Sequence, residues 1–247
     1  MKIILALIFL PFFTYSQVNY EIEYDVQLNS LSRKGYLFLN KKSNPHYYEV
    51  SAKDSLKKTK SDEDGNFEIK FILQNKTDKI RRQLYNLKND TIINFDYVDE
   101  KNVNYFETST TINWEISKET KVISGYNCSK AILNFRGRKY FAWFTTDIPC
   151  RFGPWKFINT PGLIMEIEDE SKLFSWFVKK IKIVEYETVY KSDFKNDIIS
   201  IKDFVSMKEK SDNELVNQSM LKYEQRGLTL AKNEYIRGRE KTFEWEN

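Results

Sequence analysis

The sequence has few of the residues that usually build a catalytic or metal site. Its 247 residues include one histidine, two cysteines and eight glycines. It has no zinc-type spacing, nucleophile elbow, phosphate-binding glycine loop or dinucleotide fingerprint. We therefore expect neither a metal nor a cofactor. The one histidine, His46, follows the turn-forming pair Asn44-Pro45, and a lone histidine in a loop is expected at the surface.

Long apolar runs are also missing, apart from one at the N-terminus. Residues 3–10 are apolar, follow the single positive charge of Lys2 and lead to Ser16 and Gln17. This order is typical of a secretory signal peptide, with cleavage predicted after Ser16. The run is too short to span a bilayer comfortably. We expect a signal peptide at 1–16, no stable membrane insertion, and a mature chain that is periplasmic or secreted.

A charge excess of one sign is absent too. The formal net charge is +4, and the lysines are interleaved with acidic residues along the chain. Nucleic acid binding needs a basic stripe or patch, which this pattern does not supply. We expect no nucleic acid partner.

The two cysteines, Cys128 and Cys150, leave their redox state open. An exported protein meets an oxidising compartment, where a disulfide is chemically allowed. If Arg136-Gly137 forms a hairpin turn, however, directly paired positions sum to about 273, and these two sum to 278. The sequence is compatible with a disulfide and with two buried thiols.

Alternation with a period of two dominates the chain from about residue 18 to 190, with aromatic and β-branched residues on every second position. The pattern predicts a mainly β fold in one domain, 17–190. We expect a curved antiparallel sheet or a partial barrel whose concave side is filled by aromatic residues. The charged segment 53–66 is predicted to be a loop or an edge excursion.

The C-terminal segment, 191–247, is predicted to be helical or partly ordered. Ser211 and Glu214 form a capping-box pattern that predicts a helix start. The helix is expected to end near Gly227.

The most specific motifs lie between Trp114 and Asp169. They include Gly153-Pro154-Trp155-Lys156-Phe157 and Pro161-Gly162-Leu163-Ile164. Their order resembles the GLPGLI family of exported bacterial proteins, whose signature hexapeptide reads Asn159 to Ile164 here. The resemblance implies export and association with outer-membrane uptake systems, and it implies no established reaction.

The same motifs have a structural interpretation. Gly153, Pro154, Pro161 and Gly162 are turn formers. They bracket the segment 155–159, which we expect to be a short plug helix across the open side of the sheet.

The pattern as a whole favours a non-catalytic binding or accessory protein over an enzyme. Its concave face is expected to hold an apolar ligand or a peptide, with an outer-membrane receptor or transporter as possible partner. The candidate ligand-binding residues are Trp143, Trp155, Phe157, Trp176 and Arg138.

Two alternatives remain open. One is a periplasmic hydrolase or peptide-processing enzyme that uses Glu166, Glu168 and Arg138. The two glutamates lie two apart on a predicted strand and therefore share a face. The other is a partner-binding protein that adds a strand at an exposed sheet edge without protective lysines or bulges.

Overall fold

The computed structural model describes residues 18–60, 63, 65–74, 79–108, 112–189, 197–226 and 238–246. The predicted signal peptide and Gly227 lie outside the described residues. Within the described part, the chain forms strands β1 to β15 and one helix, α1. Their bounds are β1 Asn19–Leu28, β2 Leu31–Leu39, β3 His46–Ser51, β4 Ser55–Lys60, β5 Phe67–Ile72, β6 Arg81–Asn86, β7 Thr91–Val98, β8 Lys101–Thr108, β9 Glu115–Ile123, β10 Tyr126–Phe135, β11 Arg138–Thr145, β12 Leu163–Asp169, β13 Phe174–Val184, β14 Thr188–Val189, β15 Ile198–Ser200 and α1 Ile201–Glu224.

Twelve of the described strands form one open sheet. Their order is β15-β8-β7-β6-β3-β2-β1-β13-β12-β11-β10-β9. All neighbours in it are antiparallel except β15, which runs parallel to β8. The predicted mainly β fold is confirmed as a large mixed sheet that is not closed, with one helix after it.

The strands follow from the alternation in the sequence. In β1, Ile22, Tyr24 and Val26 are buried on the concave face, whereas Asp25 on the other face is exposed. The predicted hairpin turn at Arg136-Gly137 is present, with Phe135 opposite Arg138. Both turn residues have positive φ, as a two-residue hairpin turn requires.

The register of this hairpin keeps the two cysteines from facing each other, because Ser129 lies opposite Phe144 and Cys150 comes after the end of β11. On its other side, Cys128 lies opposite Lys121 of β9. Both thiols are free in the structure, and burial raises the pKa of Cys150 to about 12.

A small second sheet, β14-β5-β4, covers part of the outer face of the large one. Tyr36, Phe38, Tyr48 and Val50 form a second core that packs against Leu56, Ile69 and Phe71 of the small sheet. Strand β4 lies in the segment predicted to be a loop or an edge excursion. Its half-buried face carries Leu56, which packs on this second core, and Lys58, which pairs with the buried Glu21, so tertiary contacts give it strand structure.

The prediction of a surface position for His46 is wrong. His46 is 1% exposed, stacks on Phe38 at 5.0 Å and lies 3.0 Å from Thr188 Oγ1. Burial lowers the pKa of His46 to about 4, so the ring is neutral at pH 7. The turn at Pro45 is covered by the small sheet, which its local sequence does not reveal.

The plug is present, but it is built from turns and not from a helix. A bridge between Phe152 and Ile158 closes it, and Trp155 has φ 52°. Trp155 and Phe157 are both buried, as expected. Side-chain donors hold the plug backbone: Tyr85 Oη donates to Gly153 O at 2.9 Å and Trp114 Nε1 to Ile158 O at 2.8 Å.

Helix α1 begins at Ile201, and its cap lies eleven residues before the predicted cap. Its cap is Ser200, whose Oγ accepts from Asp203 N at 3.2 Å and donates to Asp203 Oδ2 at 2.7 Å. Ser200 is therefore the N-cap of α1, because its hydroxyl satisfies a backbone donor of the first helical turn. Ser211, the predicted cap, lies inside the helix and donates to Asp99. In the described part of the chain, no helix is long and apolar enough to cross a membrane.

The motif glycines are required by close backbone approach. A Cβ at Gly162 would lie 1.9 Å from Thr145 O, and one at Gly153 would lie 2.6 Å from Phe157 O. Both contacts are shorter than any real Cβ contact, so only glycine fits without a backbone shift.

We predict that Gly162→Ala lowers the free energy of unfolding by about 3 kcal/mol or more, because the added methyl forces the plug away from β11. Gly238→Ala is the control, since its Cβ would meet open space; its effect should stay within about 0.5 kcal/mol. Urea unfolding of the two variants measures both, and equal losses would contradict this account of the motif.

Candidate functional site

The concave side of the sheet is held together by buried ion pairs. Arg136, at the β10–β11 turn, lies 2.9 Å from Glu107 Oε2 of β8. Lys156, from the plug, lies 2.7 Å from Glu107 Oε1 and 2.8 Å from Glu240 Oε1. Glu240 also contacts Arg136, whose Nε lies 3.0 Å from Glu244. Strands from opposite ends of the sheet order therefore meet here, and the sheet forms a bowl.

These charges are buried and mutually compensated. The Arg136 and Lys156 side chains are each 2% exposed, and that of Glu107 is 4% exposed. Burial alone raises the pKa of Glu240, but Lys156 and Arg136 outweigh it and lower that pKa to about 2. Removal of one partner leaves a buried uncompensated charge, which is strongly destabilising.

Residues 238–246, which we call the strap, pass over the bowl. Gly238 O accepts from Arg138 Nη2 at 2.8 Å, and Arg239 O accepts from Tyr140 Oη at 3.2 Å. Lys241 N donates to Arg136 O at 2.8 Å. Phe243 is buried and the Glu240 side chain is 18% exposed, so the strap is a packed part of the bowl.

A cavity of about 300 Å³ lies between the strap, α1 and strands β3, β6, β7 and β8. Seven aromatic residues line it: Tyr47, Phe95, Tyr105, Trp155, Phe174, Phe204 and Phe243. Its charged lining consists of Glu49, Arg81, Arg82, Asp96, Lys208, Glu209, Arg239 and Glu240. Four of these are basic and four are acidic, so the lining is charge-balanced.

A row of polar side chains crosses the cavity floor. Gln83 Nε2 donates to Asn94 Oδ1 at 2.8 Å, and Asn94 Nδ2 donates to Glu107 Oε1 at 2.8 Å. Arg81 Nε lies 2.8 Å from Asp96 Oδ1. The row joins the cavity to the buried ion pairs.

Two acceptor atoms in this lining lack donors. Glu49 Oε1 receives Arg239 Nη1 at 2.9 Å, but no described residue donates to Glu49 Oε2 or to Gln83 Oε1. Both oxygens are shielded from solvent. Buried acceptors without donors cost free energy, and such atoms often mark a position where a ligand completes the hydrogen bonds.

Trp155 is the aromatic centre of the site. It stacks on Trp176 with ring centroids 5.8 Å apart, and the Arg239 guanidinium lies 4.8 Å from its ring. Its positive φ is unusual for a bulky residue and costs about 1–3 kcal/mol, a strain that clusters at functional sites. The hydrogen bonds of the plug backbone maintain this conformation.

The structure places the five predicted ligand-binding residues in different surroundings. Trp155 lines the cavity. Phe157 and Trp176 are fully buried beneath it. Arg138 is buried and paired with Asp169 at 3.1 Å. Trp143 lies on the outer face, where Lys121 covers its ring at 4.5 Å.

The side chains of the predicted carboxylate site do not lie together. Glu166 pairs with Lys121 on the outer face, and Glu168 lies on that same face. Arg138 points to the concave side, with Tyr140 and Asp169. These three residues therefore do not form one site.

The exposed edge strand is also protected against strand addition. The edge strand β9 carries Lys118 and Lys121, and its register with β10 shifts at a bulge between Ser129 and Ala131. Lysines and bulges are the usual devices that block edge pairing.

Sequence reasoning missed Glu49, Gln83 and Arg239. Glu49 lies in β3, which is buried on both faces. The alternation of residues along this strand therefore does not show that the Glu49 side chain faces the cavity. Arg239 is 190 positions from Glu49, and no local signal predicts that contact. Among the described residues, no group of three or more histidine, cysteine, aspartate or glutamate side chains is placed to hold a metal ion.

Comparison with known proteins gives a family match. The sequence model of the family described as "N-glycanase peptide, N-terminal domain" matches residues 50–203, more than half of the chain. No curated protein sequence matches significantly.

Solved structures of PNGF-II have a similar fold. The structure in space group P21 is 17% identical in sequence and has a TM-score of 0.50. The aligned region covers 78% of this chain and 34% of the PNGF-II chain. The structure in space group C2 is 16% identical in sequence and has a TM-score of 0.51. Here the aligned region covers 78% of this chain and 33% of the PNGF-II chain. This chain therefore spans about a third of the length of the PNGF-II chains.

The family match corrects two predictions from the sequence. The resemblance to the GLPGLI family is wrong as a family assignment, because the matching family is the N-glycanase one. The non-catalytic binding or accessory role inferred with it is overturned by the same match. The motifs 153–157 and 161–164 are explained by the close packing of the plug.

We predict that Glu107→Gln lowers the free energy of unfolding by about 3–5 kcal/mol, because Arg136 and Lys156 lose their shared buried carboxylate. Glu119→Gln is the control: Glu119 pairs with Lys130 at the surface, where solvent screens the pair, so its loss should change the free energy of unfolding far less. Denaturant unfolding compares the two variants, and a similar small effect of both would contradict the proposed role of the cluster.

Proposed function

Since this chain belongs to the N-glycanase peptide, N-terminal domain family, we propose that it takes part in the removal of N-linked glycans from glycoproteins. The family match over residues 50–203 is the observation that carries this proposal. The concave cavity is the proposed site for the carbohydrate. Its walls at β6–β8 and Trp155 of the plug lie within the matched residues, whereas Tyr47 and Glu49 of β3 lie just before them.

The chemistry of the cavity fits a neutral sugar. Sugar rings offer hydroxyl donors around an apolar C–H face. Glu49 Oε2 and Gln83 Oε1 offer acceptors for such donors, while Trp155 and Tyr47 offer aromatic surface. A charge-balanced lining does not favour a polyanion or a purely apolar passenger.

The volume of the cavity is also appropriate. About 300 Å³ is at the lower end of the range for small-molecule sites, which is about 300–1,000 Å³. The cavity therefore holds one or two sugar rings. The rest of a glycan extends outside it.

An exported location fits the proposed function. The signal-peptide pattern at residues 1–16 favours a periplasmic or secreted location, where an enzyme of this class meets glycoproteins from outside the cell. An outer-membrane receptor or transporter as partner stays a prediction of the sequence.

The proposal is tested by calorimetry with one synthetic peptide in two forms, with and without an N-linked glycan. We predict that the glycosylated form binds at least about tenfold more tightly, equivalent to about 1.4 kcal/mol. Mass spectrometry of the same mixture detects any released glycan. Equal binding of the two forms, together with no release, would contradict the proposal.

A further inference from the structure

The strap occupies the position that the sugar needs. Arg239 places its guanidinium against Glu49 Oε1 at 2.9 Å and over the Trp155 ring at 4.8 Å. In the proposed function, the sugar binds this same carboxylate and this same aromatic ring. Arg239 and the ligand therefore compete for the same two groups.

Both acceptors are closed off from the cavity. Among the described residues, none donates to Glu49 Oε2 or to Gln83 Oε1, and both oxygens are shielded from solvent. A ligand in the cavity as it stands cannot reach them. Arg239 lies against the Glu49 carboxylate, so a hydrogen bond from a sugar to that group requires the Arg239 side chain to move.

The remaining contacts of Arg239 show how it is held. The guanidinium also lies 6.0 Å from the Trp176 ring, and burial opposes its charge while Glu49 and Asp96 raise its pKa. Its backbone oxygen accepts from Tyr140. The next residue, Glu240, is fixed separately by Lys156 and Arg136, so the strap keeps an anchor when the Arg239 side chain leaves.

We propose that Arg239 is a built-in occupant of the sugar site, and that a neutral N-glycan sugar binds by displacing it from Glu49 and Trp155. This inference rests on the proposed function. Arg239 holds the buried carboxylate in a compensated state until a hydroxyl donor replaces the guanidinium. The strap then loosens around position 239 while Glu240 stays bound.

The test uses calorimetry with N,N′-diacetylchitobiose, the disaccharide that joins an N-glycan to asparagine. We predict that Arg239→Gln binds it at least about threefold more tightly, because the competent site is no longer occupied. Glu49→Gln should weaken binding about tenfold through loss of a charged acceptor. Lys241→Gln, the same charge change on the same strap but outside the cavity lining, should bind like the wild type.

The outcomes separate the two proposals. If the wild type binds the disaccharide and Arg239→Gln binds it equally or less tightly, Arg239 is part of the binding surface and the inference is overturned. If none of the four proteins binds it, the carbohydrate site and the inference both fail.

A second measurement does not depend on any variant. Hydrogen exchange at the Arg239 amide of the wild-type protein is expected to speed up under saturating disaccharide, because the strap loosens at that position. The amides of Lys241 and Thr242, which donate to Arg136 O at 2.8 and 3.3 Å beyond the Glu240 anchor, serve as the internal control and should exchange at an unchanged rate. Unchanged or slower exchange at Arg239 would show a strap that stays in place or closes on the ligand, and would overturn the inference.

Discussion

The bowl depends on one buried contact, in which Glu107 of β8 meets Arg136 of the β10–β11 turn. These residues come from the second and the eleventh positions of a twelve-stranded sheet. A sheet of that width twists and coils, but a salt bridge between its ends fixes how far it curls. Lys156 brings the plug into the same cluster and Glu240 brings the strap. Curvature, plug and cover are therefore set by one group of charges.

That arrangement also explains why a cavity persists on a face so rich in aromatic residues. The plug fills one half of the bowl with Trp155 and Phe157, which pack on Trp176. The other half carries Glu49, Gln83 and Asn94, whose polar side chains line the cavity. An apolar wall beside a polar floor is the composition of a small-molecule site. The same charges that fold the bowl thus leave space beside the plug.

Much of the fold could be predicted from local sequence, whereas most of the site could not. Strands β1 and β12 follow from strict alternation, and the turn at 136–137 follows from its residues. His46 and β4 depend on a second sheet that forms only in the tertiary structure. Trp155 was predicted because its motif is distinctive, but Glu49 becomes a site residue only when Arg239, 190 positions away, packs against it.

The central claim is that carbohydrate binds on the concave face beside the strap, and the crystal structure of the protein with a bound N-glycopeptide tests it most directly. The account predicts a sugar ring against Trp155, hydroxyl groups hydrogen-bonded to Glu49 and Gln83, and the Arg239 side chain moved away from the carboxylate. A sugar bound to the outer face, for example against Trp143, with the cavity and Arg239 unchanged, would contradict it.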